Sequence, residues 1–465
     1  MVELLKLVDD VSKKKINISD FLDALVADAL FNKASDIHIE AKEGHLLLIR
    51  YRVDGVLRDV INIREDLEES LIFIIKVRAK LRTDIHFAPQ DGKILFTIKK
   101  EKEQIKEEQE REKEKVAELK EDLKEEKKEE TKSGISKLIE DIQKQRQAKI
   151  DGNDEFYNVD ARISILPVTH GEKVVVRLLS QVNRSYDLAD LGFEPKDLVK
   201  LEKAYREPYG LILVTGPTGS GKTTTLYSIL KILNRRDVNI TTIEDPVEYS
   251  IDGVNHIQIN VKGDLTFANG LRSILRQDPN IIMVGEIRDV ETARITVNSA
   301  LTGHLVLSTL HANDAISTIP RLLEMGIEPF LVASTINIVV TQRLARRLCE
   351  HCKQQYIAGK DEWHKEIVKL RPDIEKNISA TDKLFKANGC KECNNTGYSG
   401  RIGIYEILDM NKELRDAIIK DPSPDNILSV AKKDGFKLMI EDAISKLKSG
   451  TIDIKELVKV IAIKE

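Results

Sequence analysis

Apolar side chains along the first 186 residues switch between two periods. After Ser19-Asp20, which offers side chains to cap a helix, Phe21, Leu22, Leu25, Val26 and Ala29 recur at helical spacing. An amphipathic helix is therefore predicted over residues 19–30. The period then shortens to two: Ile37 and Ile39 alternate with His38 and Glu40. Apolar runs at 46–51 and 56–57 flank Asp54-Gly55, a dipeptide that favours a tight hairpin because glycine accepts positive φ. A second helix is predicted over 71–81, and strands over 94–97, 161–166 and 174–179. Residues 19–186 thus read as an α+β domain with an antiparallel sheet, behind an extension at 1–18.

Residues 187–192 read as a linker, and after them the pattern changes class. Leu201 and Ala204 fall on a helix, 211–214 is a short buried strand, and strands then alternate with helices as a parallel α/β sheet requires. This second domain is placed at 187–345, followed by a cysteine-bearing module at 346–400 and a helical region at 401–465.

One segment belongs to neither pattern. From 99 to about 132 nearly every residue is Lys, Glu, Gln or Arg, the composition of a solvated, disordered insert. A helical alternative rests on Val116, Leu119 and Leu123, matched beyond Ser133-Gly134 by Ile135, Leu138, Ile139 and Ile142. Pairs such as Glu107 and Arg111 contribute only about 0.2–0.5 kcal/mol each, so the apolar seam has to decide. The seam favours a helical hairpin at about 99–150, projecting from a β-hairpin of the first domain.

Composition narrows the class. With 465 residues, 73 Lys and Arg against 77 Asp and Glu, and a net charge of −4, the chain has room for two or three cores and is not built to package nucleic acid. No apolar run approaches the roughly 18 to 20 residues that span a bilayer, and the first residues lack the apolar core of a signal peptide. A cytoplasmic location is expected.

Directly after the 211–214 strand stands Gly216-Pro217-Thr218-Gly219-Ser220-Gly221-Lys222-Thr223, a complete P-loop, with Thr224 opening the helical stretch 224–233. Glycines let successive backbone N–H groups converge on phosphate oxygens, and the helix adds its positive end. Lys222 should reach the β and γ phosphates of ATP, and Thr223 should ligate Mg²⁺. Three further strands end in polar groups: 240–243 before Glu244, 281–284 before Gly285-Glu286, and 305–309, flanked by His304 and His311. Polar ends at the edge that carries a P-loop point to a shared γ-phosphate site.

The four cysteines form two C-x-x-C pairs, Cys349 with Cys352 and Cys390 with Cys393. Four thiolates in two knuckles suit tetrahedral Zn²⁺ with no open position, a structural site; a redox pair is the competing idea.

On these residues the sequence resembles the type II secretion and type IV pilus assembly ATPases. Four boxes carry the resemblance in order: the P-loop with Leu226-Tyr227; Thr242-Ile243-Glu244-Asp245-Pro246-Val247-Glu248-Tyr249; Leu275-Arg276-Gln277-Asp278-Pro279-Asn280 through Gly285-Glu286-Ile287-Arg288-Asp289; and Thr302-Gly303-His304 through His311-Ala312. First-domain segments match too: Ser35-Asp36-Ile37-His38-Ile39-Glu40, Tyr51-Arg52-Val53-Asp54-Gly55, Ala88-Pro89-Gln90-Asp91-Gly92 and Gly171-Glu172-Lys173-Val174-Val175-Val176-Arg177.

The resemblance implies a RecA-like P-loop ATPase domain, a smaller PAS-like N-terminal domain, a C-terminal four-cysteine zinc module and a homohexameric ring. It implies a polytopic inner-membrane platform protein as partner and no direct contact with nucleic acid. Glu244 and Glu286 would position the attacking water and Mg²⁺, and the sequence leaves open which of them is the base. Arg162 and Arg177 match first-domain arginines that face the phosphates, and His304 and His311 would couple nucleotide state. In the family the zinc module marks assembly and export motors.

Three departures stand out. The insert at 99–150 interrupts the family's β-hairpin, Asn280 stands where Asp is common, and the first helix begins near Ser19 without a large docking domain before it. Recruitment is therefore expected to rest on the platform protein. Two other functions compete with an assembly motor: a RecA-like nucleic-acid motor, disfavoured by balanced charge and the absence of aromatic-basic patches, and a nucleotide-binding scaffold without turnover, disfavoured by the intact Lys222, Thr223, Glu244 and Glu286.

Overall fold

The computed structural model describes residues 17–42, 46–64, 67–99, 156–180, 187–362, 364–365, 371, 374 and 376–461. The extension at 1–16 and the charged insert at 100–155 lie outside the described residues. The chain divides into two compact units, Met1–Ser185 and Tyr186–Glu465.

The first unit opens with helix α1, Ile18–Phe31, whose cap is Asn17 rather than Ser19-Asp20. The Asn17 side chain accepts the Asp20 N–H at 2.9 Å, and Asp20 instead sits in the first turn, where its charge suits the helix dipole. Six strands follow among the described residues: β1 Ala34–Lys42, β2 Leu46–Val53, β3 Val56–Arg64, β4 Gln90–Lys99, β5 Phe156–Val168 and β6 Gly171–Ser180, with α2, Glu68–Arg78, between β3 and β4. Their order is β3-β2-β1-β6-β5-β4, every neighbouring pair antiparallel. Alternation sorts the two faces. Ile37, Ile39, Ile163 and Val176 bury against Leu22, Leu25, Leu71 and Ile75 of the helices, while Asp36, His38 and Glu40 face the other way. The charged insert joins β4 to β5, which end on the paired residues Lys99 and Phe156.

The second unit is an α/β layer structure, as expected. Its strands are β7 Gly210–Thr215, β8 Ile240–Glu244, β9 Val254–Gln258, β10 Ile281–Val284, β11 Leu305–Leu310, β12 Ile336–Leu348, β13 Gln354–Ile357, β14 Lys383–Lys386 and β15 Tyr398–Asp409. The main sheet runs β15-β12-β7-β11-β10-β8-β9, and β13 pairs with β14 in a small antiparallel sheet of their own. All main-sheet pairs are parallel except β12 with β15. β7 and β11 are buried at every position, which explains why they read as unbroken apolar runs. The stretch 187–192 is packed in this unit: Leu188 is buried, Tyr405 Oη donates to the Leu191 carbonyl at 3.0 Å, and Phe193 stacks on Tyr405. β12 crosses the 345/346 position, and β15 brings residues 401–409 back into the same sheet ahead of the C-terminal helices. Among the described residues no helix is long and apolar enough to cross a membrane.

Candidate active site and cysteine cluster

The P-loop joins β7 to helix α3, Lys222–Leu233. Gly216, Gly219 and Gly221 adopt φ of 139°, 78° and 91°, which side chains rarely tolerate. At Gly216 space is also missing: a Cβ there would lie 2.4 Å from the Gln342 carbonyl. Gln342 underpins the loop, donating from Nε2 to the Ser220 carbonyl at 2.7 Å and accepting from Thr225 Oγ1 at 2.8 Å. Its location follows from register, since Thr341 pairs with Thr215 and the next residue reaches the loop. Pro217, Thr218, Thr223 and Thr224 complete the loop and the first helical turn, whose start no side chain caps among the described residues. N–H groups at such a helix start are suited to receive an anion. Lys222 Nζ donates to the Gly216 and Pro217 carbonyls at 2.9 and 3.1 Å; burial lowers its pKa, and the nearby Glu286 charge opposes that shift.

The neighbouring strand ends differ. Past β10, the Glu286 side chain is 15% exposed; Oε1 lies 2.5 Å from Arg288 Nη2 and Oε2 lies 3.4 Å from His311 Nε2. Arg288 also reaches Asp245 at 3.9 Å, and its pKa is raised first by the Glu286 contact. At the end of β8, Glu244 is only 2% exposed and faces inward. Tyr227 Oη donates to Oε2 at 2.6 Å, Thr242 Oγ1 donates to Oε1 at 2.5 Å, and His256 Nδ1 lies 3.0 Å from Oε1.

The fold sets Glu286 against Arg288 and His311, within the electrostatic reach of Lys222, but His304 stands elsewhere. Leu305 pairs with Gly210 and Leu310 with Thr215, so His304 precedes β11 at the edge opposite the P-loop. There its Nδ1 donates to the Ser299 carbonyl at 3.1 Å. Within the chain, then, His311 lies beside Glu286 and His304 does not. Asn280, the residue that departs from the family pattern, accepts the Asn239 N–H through Oδ1 at 2.7 Å, a bond an Asp carboxylate would also make.

At the far end of β12 the antiparallel pairing with β15 carries both cysteine knuckles to one place, since Leu348 pairs with Tyr398. All four Sγ atoms lie within 4.8 Å of one another. The Cys349–Cys390 and Cys352–Cys393 separations are 3.8 Å and Cys390–Cys393 is 3.7 Å. Tetrahedral Zn²⁺ with bonds of about 2.3 Å requires sulfurs about 3.8 Å apart, so the donor set fits that ion. Burial would raise the Cys393 pKa, but N–H donors from Cys390 and Gly397 outweigh it and hold the thiol down at about 6. Cys349, buried, is pushed up to about 12.

The sequence matches the type II/IV secretion system protein family over residues 11–108 and 141–459. The chain belongs to that family. Type II secretion system protein HxcR of Pseudomonas aeruginosa is 38% identical over 471 residues, covering 99% of this chain and 82% of that protein. Type IV pilus assembly ATPase PilB of Myxococcus xanthus is 37% identical over 456 residues, covering 98% of this chain and 69% of that protein. The crystal structure of the Legionella pneumophila ATPase DotB shares the fold, with a TM-score of 0.59 at 20% identity over 94% of each chain. This member of the type II/IV secretion family is an ATPase.

The remaining predicted residues of this secretion-family ATPase lie in its first unit. Arg162 and Arg177 pair across β5 and β6, and Arg177 Nε donates to Asp36 Oδ1 at 2.8 Å. Two groups at the P-loop edge escaped the sequence. Gln342 had one weak signal, a polar residue just after the apolar run 338–340. His256 had none, because it lies in a half-exposed edge strand outside all four boxes, a few residues past Tyr249.

Proposed function

We propose that the chain works as a cytoplasmic homohexameric motor, held at the inner membrane by partners, that hydrolyses ATP to drive assembly of a type IV pilus or a type II secretion pseudopilus. A polytopic platform protein would receive the motion. The observation that carries this is the cluster of Lys222, Glu286, Arg288 and His311 beside the P-loop in a member of this family. The first unit, a helix-backed antiparallel sheet whose strands β1 and β6 are central neighbours, would be the PAS-like domain, and the second the RecA-like domain.

In this account Gly216 to Thr224 bind the triphosphate, and Lys222 leaves its two carbonyls for the β and γ phosphates. Thr223 would hold Mg²⁺, which draws charge from the phosphate oxygens. Glu286 takes the proton of the water that attacks the γ phosphorus while the bond to the β–γ bridging oxygen breaks, yielding ADP and phosphate. Arg288 and His311 hold the Glu286 carboxylate in place. Arg162 and Arg177 would balance phosphate charge from a first unit of the ring. Cys349, Cys352, Cys390 and Cys393 would hold a structural Zn²⁺ that ties β12 to β15.

The test is ATP turnover by the purified full chain, with its mass in solution measured, alone, with the cytoplasmic part of a candidate platform protein, and with single-stranded DNA. A six-chain assembly that the platform accelerates and DNA leaves unchanged is expected. Acceleration by DNA alone would replace this proposal with a nucleic-acid motor, and no turnover under any condition would leave a scaffold.

A further inference from the structure

Glu244 ends a strand at the edge where phosphate binds, yet its carboxylate is turned away from solvent and held by groups from three elements. Tyr227 comes from the P-loop helix, Thr242 from β8 itself and His256 from β9. Burial and the adjacent carboxylate raise the Tyr227 pKa, so the phenol stays a donor. The histidine's tautomer follows from its other side. The backbone N–H of Ile251 donates to Nε2 at 3.0 Å, and a backbone N–H only donates. Nε2 therefore carries no proton, and the proton of the neutral ring sits on Nδ1, facing Glu244 Oε1 and Thr242 Oγ1 at 3.0 and 2.9 Å. The His256 side chain is 7% exposed, so this bond is made away from water.

The held residue abuts the turn that carries Glu286. The Gly285 N–H donates to the Ile243 carbonyl at 2.8 Å, and a Cβ on Gly285 would lie 3.2 Å from the Glu244 Cα. Any shift of Glu244 thus moves the backbone next to Glu286. Through Tyr227 the same carboxylate is tied to the helix that begins with Lys222.

We propose that His256 is a positioning residue for ATP hydrolysis. In its Nδ1–H tautomer it locks the Glu244 carboxylate with Thr242 and Tyr227, and the locked Glu244 sets the Gly285-Glu286 turn against the P-loop helix. The inference rests on the assignment of Glu286 to the attacking water. It predicts a loss in the chemical step with nucleotide binding intact, because the polar contacts of His256 are to Glu244, Thr242 and Ile251 rather than to the P-loop.

Steady-state ATP hydrolysis by the 465-residue chain tests it, using wild type, His256→Ala, His256→Gln and Tyr227→Phe, with thermal melts of each. Alanine removes the donor to Glu244 and the acceptor for Ile251. Glutamine restores both, since its amide nitrogen donates and its oxygen accepts. His256→Ala is expected to lower kcat about tenfold with KM for ATP within twofold of wild type, and His256→Gln to recover at least half of the wild-type kcat. A His256→Ala enzyme with wild-type kcat, a rise in KM that accounts for its loss, or a folded His256→Gln enzyme no better than alanine would each overturn the proposal. If His256→Ala is unfolded at the assay temperature, Tyr227→Phe decides: a lower kcat at constant KM is expected, and wild-type kcat overturns the proposal. Glu286→Gln in the same assay separates the two levels, since full turnover there would remove the assignment on which the inference rests.

Discussion

Strands β8 and β10 run side by side with Ile243 opposite Val284, so Glu244 and Glu286 stand one step apart along the same sheet edge. Glu244 is 2% exposed and its partners are a phenol, a hydroxyl and a neutral imidazole. Glu286 is partly open, and it faces Arg288, His311 and the field of Lys222. A carboxylate enclosed by fixed neutral donors has no partner to exchange and serves as a strut. One that borders solvent among cations can turn toward a water or a metal as charge moves. The two ends have the same residue type in adjacent strands, and burial with partner chemistry divides their environments and, in the proposed mechanism, their roles.

The largest stability difference should come from truncating each residue. Glu244→Ala leaves three buried donors without their acceptor and is expected to cost about 3 kcal/mol or more, whereas Glu286→Ala stays within about 1 kcal/mol of wild type. Denaturant unfolding measures both, and equal losses would erase the distinction. Next comes the other end of β12. Cys349→Ser should abolish stoichiometric zinc, measured by elemental analysis of the purified chain, and expose the segment between β12 and β15 to proteolysis. If ATP turnover survives in that variant, the P-loop edge is independent of the cysteine cluster.

Gln342→Ala probes the P-loop itself. It strips the Ser220 carbonyl and the Thr225 hydroxyl of a buried partner, at about 1–3 kcal/mol. The loss should fall on nucleotide binding, as a raised KM for ATP with kcat nearly unchanged, the reverse of the split expected at His256. The smallest effect belongs to Glu40, a third kind of carboxylate, enclosed and paired with cations. Burial pushes its pKa up, but Arg50, Lys173 and Lys42 outweigh burial and hold it down at about 2, against an ordinary 4.5. A lowered folded-state pKa gives stability that is complete above pH 4.5 and disappears as pH falls through 2. After screening by water this is about 1 kcal/mol. Glu40→Gln should lose that amount at neutral pH and show a flatter acid limb between pH 4.5 and 2.

The sequence revealed those parts of the site that are local in the chain. Gly216 through Thr224 form one contiguous motif whose glycines must turn, so type and spacing suffice. The clustering of the cysteine pairs was equally legible, because two C-x-x-C pairs are the spacing a shared metal would require, even though β12 and β15 lie far apart in the chain at their paired ends, Leu348 and Tyr398. Strand ends were legible as positions but not as environments. Glu244 and Glu286 look alike in sequence because the difference comes chiefly from Tyr227 and His256, which only the fold brings to Glu244. His304 misled for a related reason: it flanks the same strand as His311, but the strand's length separates them. The Asn17 cap was hidden because Ser19-Asp20 offered an equally good pattern just after it.

The most direct measurement is ATP turnover by the full chain at saturating Mg²⁺ and ATP, comparing wild type, Glu286→Gln and Glu244→Gln, with ATP affinity measured alongside. The account predicts that Glu286→Gln loses at least about 100-fold in kcat while binding ATP within threefold of wild type. Glu244→Gln, in which an amide oxygen still accepts from Tyr227 or Thr242, should lose about tenfold. Turnover abolished by Glu244→Gln but retained by Glu286→Gln would contradict the account and exchange the roles of the two strand ends.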